Sequence, residues 1–253
     1  EEGIALYEHE WLHGISSSFE LRGRHISSNR YVPMILPDGS WLHGINDASV
    51  RIGLRLSKDE TIVRTPFEVR HMGSKYPIFS FDFIGAKKGI LPTSYDYLRL
   101  EGRMQYRLNL PPVGYSRLML EGGKIFGKVP YLLLKLHEGN GTYFYDRYAF
   151  SCMNFYEFSS DAWISFFYEH HFNGFLLGRV PLLKKLNWRE VFVFKGVYGT
   201  LSARNDGSLP NTKAVMLFPV GMSSVEHPYL ETGFGIENIF RLLRVDCIWR
   251  LTH

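Results

Sequence analysis

Between Leu98 and Leu110 the chain alternates without a break. Leu98, Leu100, Gly102, Met104, Tyr106, Leu108 and Leu110 share one parity, and Arg99, Glu101, Arg103, Gln105, Arg107 and Asn109 share the other. A period of two is the strand period, because successive side chains leave opposite faces of a pleated backbone. At helical spacing the same arginines would spread around the axis. The stretch therefore commits this part of the chain to a sheet with one apolar and one charged face.

The rhythm recurs along the sequence. Val50, Ile52, Leu54 and Leu56 alternate with Arg51, Gly53 and Arg55; Val63, Thr65, Phe67 and Val69 with Arg64, Glu68 and Arg70. Phe19 and Leu21 alternate with Glu20, Arg22 and Arg24; Val245, Cys247, Trp249 and Leu251 with Arg244, Asp246 and Arg250. Turn signals separate the runs, as at Ser57-Lys58-Asp59, Gly73-Ser74-Lys75 and Pro111-Pro112-Val113-Gly114. Short connections imply antiparallel neighbours. The pattern predicts about twelve strands, over 3–12, 17–26, 49–57, 61–72, 76–86, 95–110, 115–128, 151–158, 162–172, 189–202, 228–237 and 242–252. Longer connections fall at 27–48, 129–150, 173–188 and 203–227. Five predicted strands separate the first two of these, which puts them at opposite ends of the sheet.

Alternation alone leaves open which solvent meets the apolar face. Three features favour lipid. The strands are long, and a tilted membrane strand needs about 9–11 residues. The polar face carries large charges of both signs, which suits a wet, ion-paired lumen. Aromatic residues stand near strand ends (Tyr7, Trp11, Tyr95, Tyr97, Tyr115, Trp163, Tyr229, Trp249), where interface girdles lie. The expected fold is all-β: part of an antiparallel up-and-down transmembrane barrel, with residues 1–253 forming one portion of a single domain. The opening Glu1-Glu2-Gly3-Ile4, without an initiator methionine, fits a piece of a longer exported precursor. On this reading the lumen is lined by Arg51, Arg55, Arg64, Glu68, Arg70, Arg99, Glu101, Arg103, Arg107, Glu121, Arg244, Asp246 and Arg250.

Other chemistries find little support. The net charge of +4 is spread over single residues, so no nucleic-acid partner is expected. Two cysteines, Cys152 and Cys247, make neither a disulfide framework nor a zinc site, and spacing alone does not decide whether they pair. His9-Glu10-Trp11-Leu12-His13 matches the H-E-x-x-H zinc signature, but that motif works only on a helix. Here it ends a strand pattern, where its imidazoles would stand about 13 Å apart. In Tyr168-Glu169-His170-His171, adjacent histidines on a strand face opposite ways. Glu101 and Glu121 sit on neighbouring polar faces, the one pair that suggests a soluble carbohydrate-active enzyme; the arginines around them favour ion pairs. No phosphate loop, dinucleotide fingerprint or serine elbow occurs. The expectation is no enzyme, no metal and no cofactor.

Five long stretches carry a resemblance: YEHEWLHG at 7–14, GSKYPIFSFDF at 73–83, GKVPYLLLKLHEGNGTYFYDRYAF at 127–150, YEHHFNGFLLGRVPLLKKLNWREV at 168–191 and GIENIFRLLRVDCIWRLTH at 235–253. Together they resemble the C-terminal barrel of a Gram-negative outer-membrane family that carries an N-terminal carboxypeptidase-regulatory-like domain. That barrel is similar to the bacterial surface antigen (BamA-like) superfamily. The resemblance implies a protein of the cell outer membrane, in contact with lipid and lipopolysaccharide, acting in transport or in assembly with periplasmic or outer-membrane partners. A plugged structural or adhesive barrel is the alternative. It also implies a loop folded into the lumen. The stretch 139–150 is its counterpart, with Arg147 as an anchor on a wall carboxylate, although the superfamily's Arg-Gly-aromatic motif is reduced here to Asp146-Arg147-Tyr148.

Overall fold

The computed structural model describes residues 1–11, 14–65, 69–71, 73–142, 144–208, 213–225 and 227–252, with backbone alone at 64 and 69–71. Ten strands form one sheet: β1 (Glu2–Glu10), β2 (Ile15–Ser27), β3 (Gly44–Leu56), β4 (Ile78–Ala86), β5 (Tyr97–Asn109), β6 (Tyr115–Gly127), β7 (Ala162–His171), β8 (Arg189–Thr200), β9 (Tyr229–Ile239) and β10 (Leu243–Arg250). They pair antiparallel in chain order, each with the next. The meander is thus as the alternation predicts. The sheet does not close: β1 and β10 each have a single neighbour. No helix among the described residues is long and apolar enough to cross a membrane, which bears on helices only.

Register fixes the two faces. Cross-strand partners point the same way, so the pairs Phe19–Ile52, Ile52–Phe83, Phe83–Leu100, Leu98–Phe126 and Leu120–Phe166 trace one continuous apolar side. It continues through Phe166, Phe194, Phe192, Phe234, Val245 and Trp249. Many of these side chains lie open: Ile52 is 53% exposed, Phe83 49% and Phe234 59%. Histidines aside, only Lys124 and Glu190 bring a charge to this side of the ten strands. Both stand near strand ends. The opposite side carries Glu20, Asp47, Arg51, Arg99, Glu121, Glu169, Lys195, Glu231 and Arg244, all buried or half-buried, while β1 is exposed on both faces. A water-soluble sheet is built the other way round, with its apolar face covered and its polar face wet.

What covers the charged side is the connection between β6 and β7, residues 128–161. It holds a one-turn 3₁₀ helix (Tyr131–Leu133) and two short strands, Lys135–Leu136 and Phe158–Ser160. Phe158–Ser160 pairs with Lys135–Leu136 on one side and with Ser223–Ser224 on the other. Two apolar clusters hold the segment. One joins Tyr131, Leu133 and Leu134 to Met34, Ile45, Tyr97, Ile125, Trp163 and Met216. The other joins Phe150 and Met153 to Met119, Phe167, Val197 and Tyr229. Trp163 packs so closely over Gly123 that a Cβ there would stand 2.5 Å from the indole, so this layer needs glycine.

Four expectations are corrected. The run 61–72 is not one strand. Ile62–Arg64 and Val69–His71 pair as a separate hairpin outside the main sheet, so Arg64 and Arg70 stand on that hairpin, and Glu68 lies outside the described residues. The run 151–158 belongs to the covering segment, not to the wall. With both removed, four strands separate the connections 28–43 and 128–161, which therefore share an end with 87–96 and 201–228. We call this the upper rim; the connections after β1, β3, β5, β7 and β9 form the lower rim. Lastly, of the aromatic residues assigned to interface girdles, Tyr97, Tyr115, Trp163 and Tyr229 point to the covered side. Tyr97 donates to Asp47 Oδ1 (3.0 Å), Tyr229 donates to Glu231 Oε1 (2.6 Å), and Tyr115 stacks on His171. Position near a strand end does not reveal which face a ring takes; only register does.

Candidate functional site

The chemistry of the covered side is concentrated where residues 128–161 meet the wall. Glu169, on β7, is 2% exposed. Its Oε2 lies 2.9 Å from Arg147 Nε of the segment and 3.7 Å from Arg117 Nη1, while its Oε1 accepts from Arg244 Nη1 at 2.6 Å. His171 Nε2 lies 3.0 Å from Glu169 Oε2, and its Nδ1 lies 3.1 Å from Glu237 Oε2. Arg244 also grips Asp246 through Nε at 2.8 Å. A buried carboxylate among three guanidinium groups is stable only while those partners stay in place.

One strand over, Lys195 and Glu231 face each other across β8 and β9. Lys195 Nζ donates to the carbonyls of Asp146 (2.9 Å) and Ala149 (2.5 Å). Glu231 accepts the backbone N–H groups of Ser151 (2.8 Å) and Cys152 (2.7 Å). The wall thus offers a cation to the segment's carbonyls and an anion to its amides, which satisfies a buried stretch of backbone that has few ladder partners. Further along, Glu121 accepts from Lys135 Nζ (2.8 Å) and Arg103 Nη2 (2.6 Å), and Arg250 Nη1 donates to Glu157 (2.7 Å).

Of the residues expected to line the interior, Arg51, Arg99, Glu101, Arg103, Glu121, Arg244, Asp246 and Arg250 stand on the covered side and nearly all are paired. Arg51 bonds Asp82, Arg99 bonds Glu101, and Arg55 makes a two-pronged contact with Glu60. Arg107 is exposed and lies over the Tyr115 ring. Glu101 and Glu121 are each held by cations, which disfavours a glycosidase-type pair of one free acid and one free base. Sequence reasoning passed over Lys195 and Asp47. Their parity within β8 and β3 was the available signal: both stand at positions that the strand period turns away from the apolar side.

Among the described residues no group of three or more His, Cys, Asp and Glu side chains is arranged to hold a metal. His9 and Glu10 lie on or at the end of β1 rather than on a helix, and His9 packs edge-on to Trp11; His13 lies outside the described residues. His170 points to the outer side, where Nδ1 meets Ser116 Oγ at 2.8 Å, whereas His171 points inward. Both thiols are free, since Cys152 belongs to the covering segment and Cys247 faces out.

His137 is the segment's titratable spring. It is buried, with Nε2 against Ser160 Oγ at 2.9 Å; burial and the adjacent Lys135 ammonium lower its pKa to about 3. Because the packed imidazole binds its proton below the ordinary 6.5, a released segment takes up a proton that the packed one refuses. Packing is therefore fully retained above pH 6.5 and weakens as the pH falls toward 3. Limited proteolysis of residues 128–161 is expected to quicken from pH 7.5 to 4.5, and His137→Asn to flatten that rise.

The site and fold together define a class: an antiparallel sheet with its apolar face outward and its charged face closed by an internal segment. The chain belongs to the family described as "Family of unknown function (DUF5686) C-terminal domain", which matches residues 16–203. That match runs from β2 to the end of β8 and includes the covering segment. No curated protein matches the chain.

Proposed function

We propose that this domain is a wall portion of a barrel spanning the bacterial outer membrane, with residues 128–161 as a resident plug. The observation that carries the reading is the outward face. Ten strands present it, many of its large apolar side chains lie open, and its two charges sit near strand ends. Monomeric soluble proteins rarely expose so large a contiguous apolar surface. Lys124, three residues from the end of β6, has the reach to carry its ammonium toward a headgroup layer. The resemblance to outer-membrane barrels of the surface-antigen type supports the same environment and points to transport or assembly.

The fastening of the segment favours a barrel whose resting state is shut. Glu169, Lys195, Glu231 and Glu121 all spend their charge on it. A purely structural or adhesive barrel would share this geometry; a conduit would need the segment to move. Planar-bilayer recording separates the two. The intact protein is expected to hold bilayers at very low conductance, with current appearing when Lys195→Met and Glu231→Gln are combined to release residues 146–152. A silent bilayer for this variant, with the segment shown to be released by proteolysis, would favour the structural role.

A further inference from the structure

The lower rim carries a second surface, formed by residues 172–188 between β7 and β8 and by residues 240–242 between β9 and β10. Residues 172–188 contain Arg179, Lys184 and Lys185 and no acidic side chain; the turn at 240–242 adds Arg241 and again no acid. Interleaved with these cations are apolar side chains left open. Leu182 is 79% exposed, Phe240 83% and Leu242 88%, and Leu176 and Leu186 are also exposed. The rim is ordered by its own bonds. Gly178 N donates to Gly174 O, Lys184 N to Val180 O, and Asn238 Nδ2 to Asn187 O at 2.8 Å, which ties residues 172–188 to the end of β9 beside the 240–242 turn.

Register also says on which side this surface lies. Glu190 pairs with Ile236 and so points outward. Its carboxylate accepts the Leu177 N–H. The connection is therefore fastened to the outer side of the wall, and one of that side's two charges is occupied in holding it.

We propose that residues 172–188 and 240–242 form a membrane-interface anchor that binds the phosphate groups of anionic lipids at the lower rim. The inference rests on the barrel reading above. Apolar side chains at this height would enter the acyl boundary, while Arg179, Lys184, Lys185 and Arg241 meet phosphate oxygens; a surface of basic and apolar residues in alternation is the chemistry of an interfacial anchor. The absence of acidic side chains in both connections excludes local neutralisation of these cations by their own loops. The pairing of β7 with β8 runs on into this connection, since Phe172 N still bonds Glu190 O.

The test uses the full chain in lipid nanodiscs, with Cys152 and Cys247 replaced by serine and an environment-sensitive fluorophore at Leu182→Cys, Leu242→Cys or Phe83→Cys. Nitroxide lipids labelled at the headgroup or mid-chain, and iodide in water, serve as quenchers. The expected result is quenching at 182 and 242 mainly by headgroup nitroxide and at 83 by mid-chain nitroxide. Replacing part of the phosphatidylcholine with phosphatidylglycerol should raise the thermal midpoint, and Lys184→Glu with Lys185→Glu and Arg241→Glu should abolish that gain. Iodide quenching at 182 and 242 with lipid quenching at 83 would overturn the anchor and leave the barrel reading standing. Iodide quenching at all three would overturn both. A phosphatidylglycerol gain that survives the charge reversals would overturn the phosphate contact.

Discussion

Replacing Glu169 with alanine is expected to free residues 128–161 from the wall. The variant leaves Arg147, Arg117 and Arg244 facing one another without their shared carboxylate, whose side chain is 2% exposed. Removing one member of a buried charge network costs on the order of 3 kcal/mol, most of it from the cations left uncompensated. Arg244 keeps Asp246, so the loss should fall chiefly on Arg147 and the segment that carries it. Proteolysis between Gly139 and Phe150 should accelerate roughly a hundredfold, as such a free-energy change implies. Glu169→Gln, which keeps the size and a hydrogen-bond acceptor, should fall between. Unchanged cleavage in the alanine variant would show that Lys195, Glu231 and the apolar clusters around Tyr131 and Phe150 hold the segment without Glu169.

The second large effect is expected on the other side of the sheet. Phe81 lies in the middle of β4, facing outward opposite Gly102, with its ring in contact range of that glycine. In a bilayer, Phe81→Arg places a guanidinium near the acyl centre and should destabilise folding into vesicles by about 2–4 kcal/mol. On a water-facing surface the same change would stay within about 0.5 kcal/mol. Ser80→Glu, one residue away on the charged side, is the control and should cost much less, because Arg55 and Arg103 stand directly opposite that position on the neighbouring strands. Equilibrium unfolding in urea from lipid vesicles measures both.

The sequence displays the ten-stranded sheet far better than the segment that covers it, for a physical reason. Where a strand has lipid or solvent on one face and packed charge on the other, every second residue reports its face; Leu98–Leu110 and Val245–Leu251 do so plainly. A segment enclosed by wall has no such two-sided environment. Residues 151–158 are held by Glu231, by Phe150 and Met153 contacts and by short irregular pairing, so their pattern imitates a strand without being one. At 61–72 the alternation spans two strands, Ile62–Arg64 and Val69–His71, that pair antiparallel with each other, and period alone does not register a reversal of direction. Facing was legible for Arg99, Glu101 and Arg103 because their strand is unbroken. Arg147 was reached through resemblance, and the structure brings its Nε to 2.9 Å from Glu169. The grip of Lys195 and Glu231 on backbone groups carries no sequence signature beyond two charges of inward parity, since its partners are amides and carbonyls that every residue possesses.

The central claim is that acyl chains meet the phenylalanine side of β4 while the serine and aspartate side faces an enclosed polar interior. Spin labels placed singly from Phe79 to Phe83 in the lipid-reconstituted protein test it most directly, through collision with oxygen, which concentrates in hydrocarbon, and with a nickel chelate, which stays in water. Oxygen-dominated relaxation is expected at 79, 81 and 83, and its loss at 80 and 82. Nickel-dominated relaxation at 79, 81 and 83 would place water on that side and contradict it.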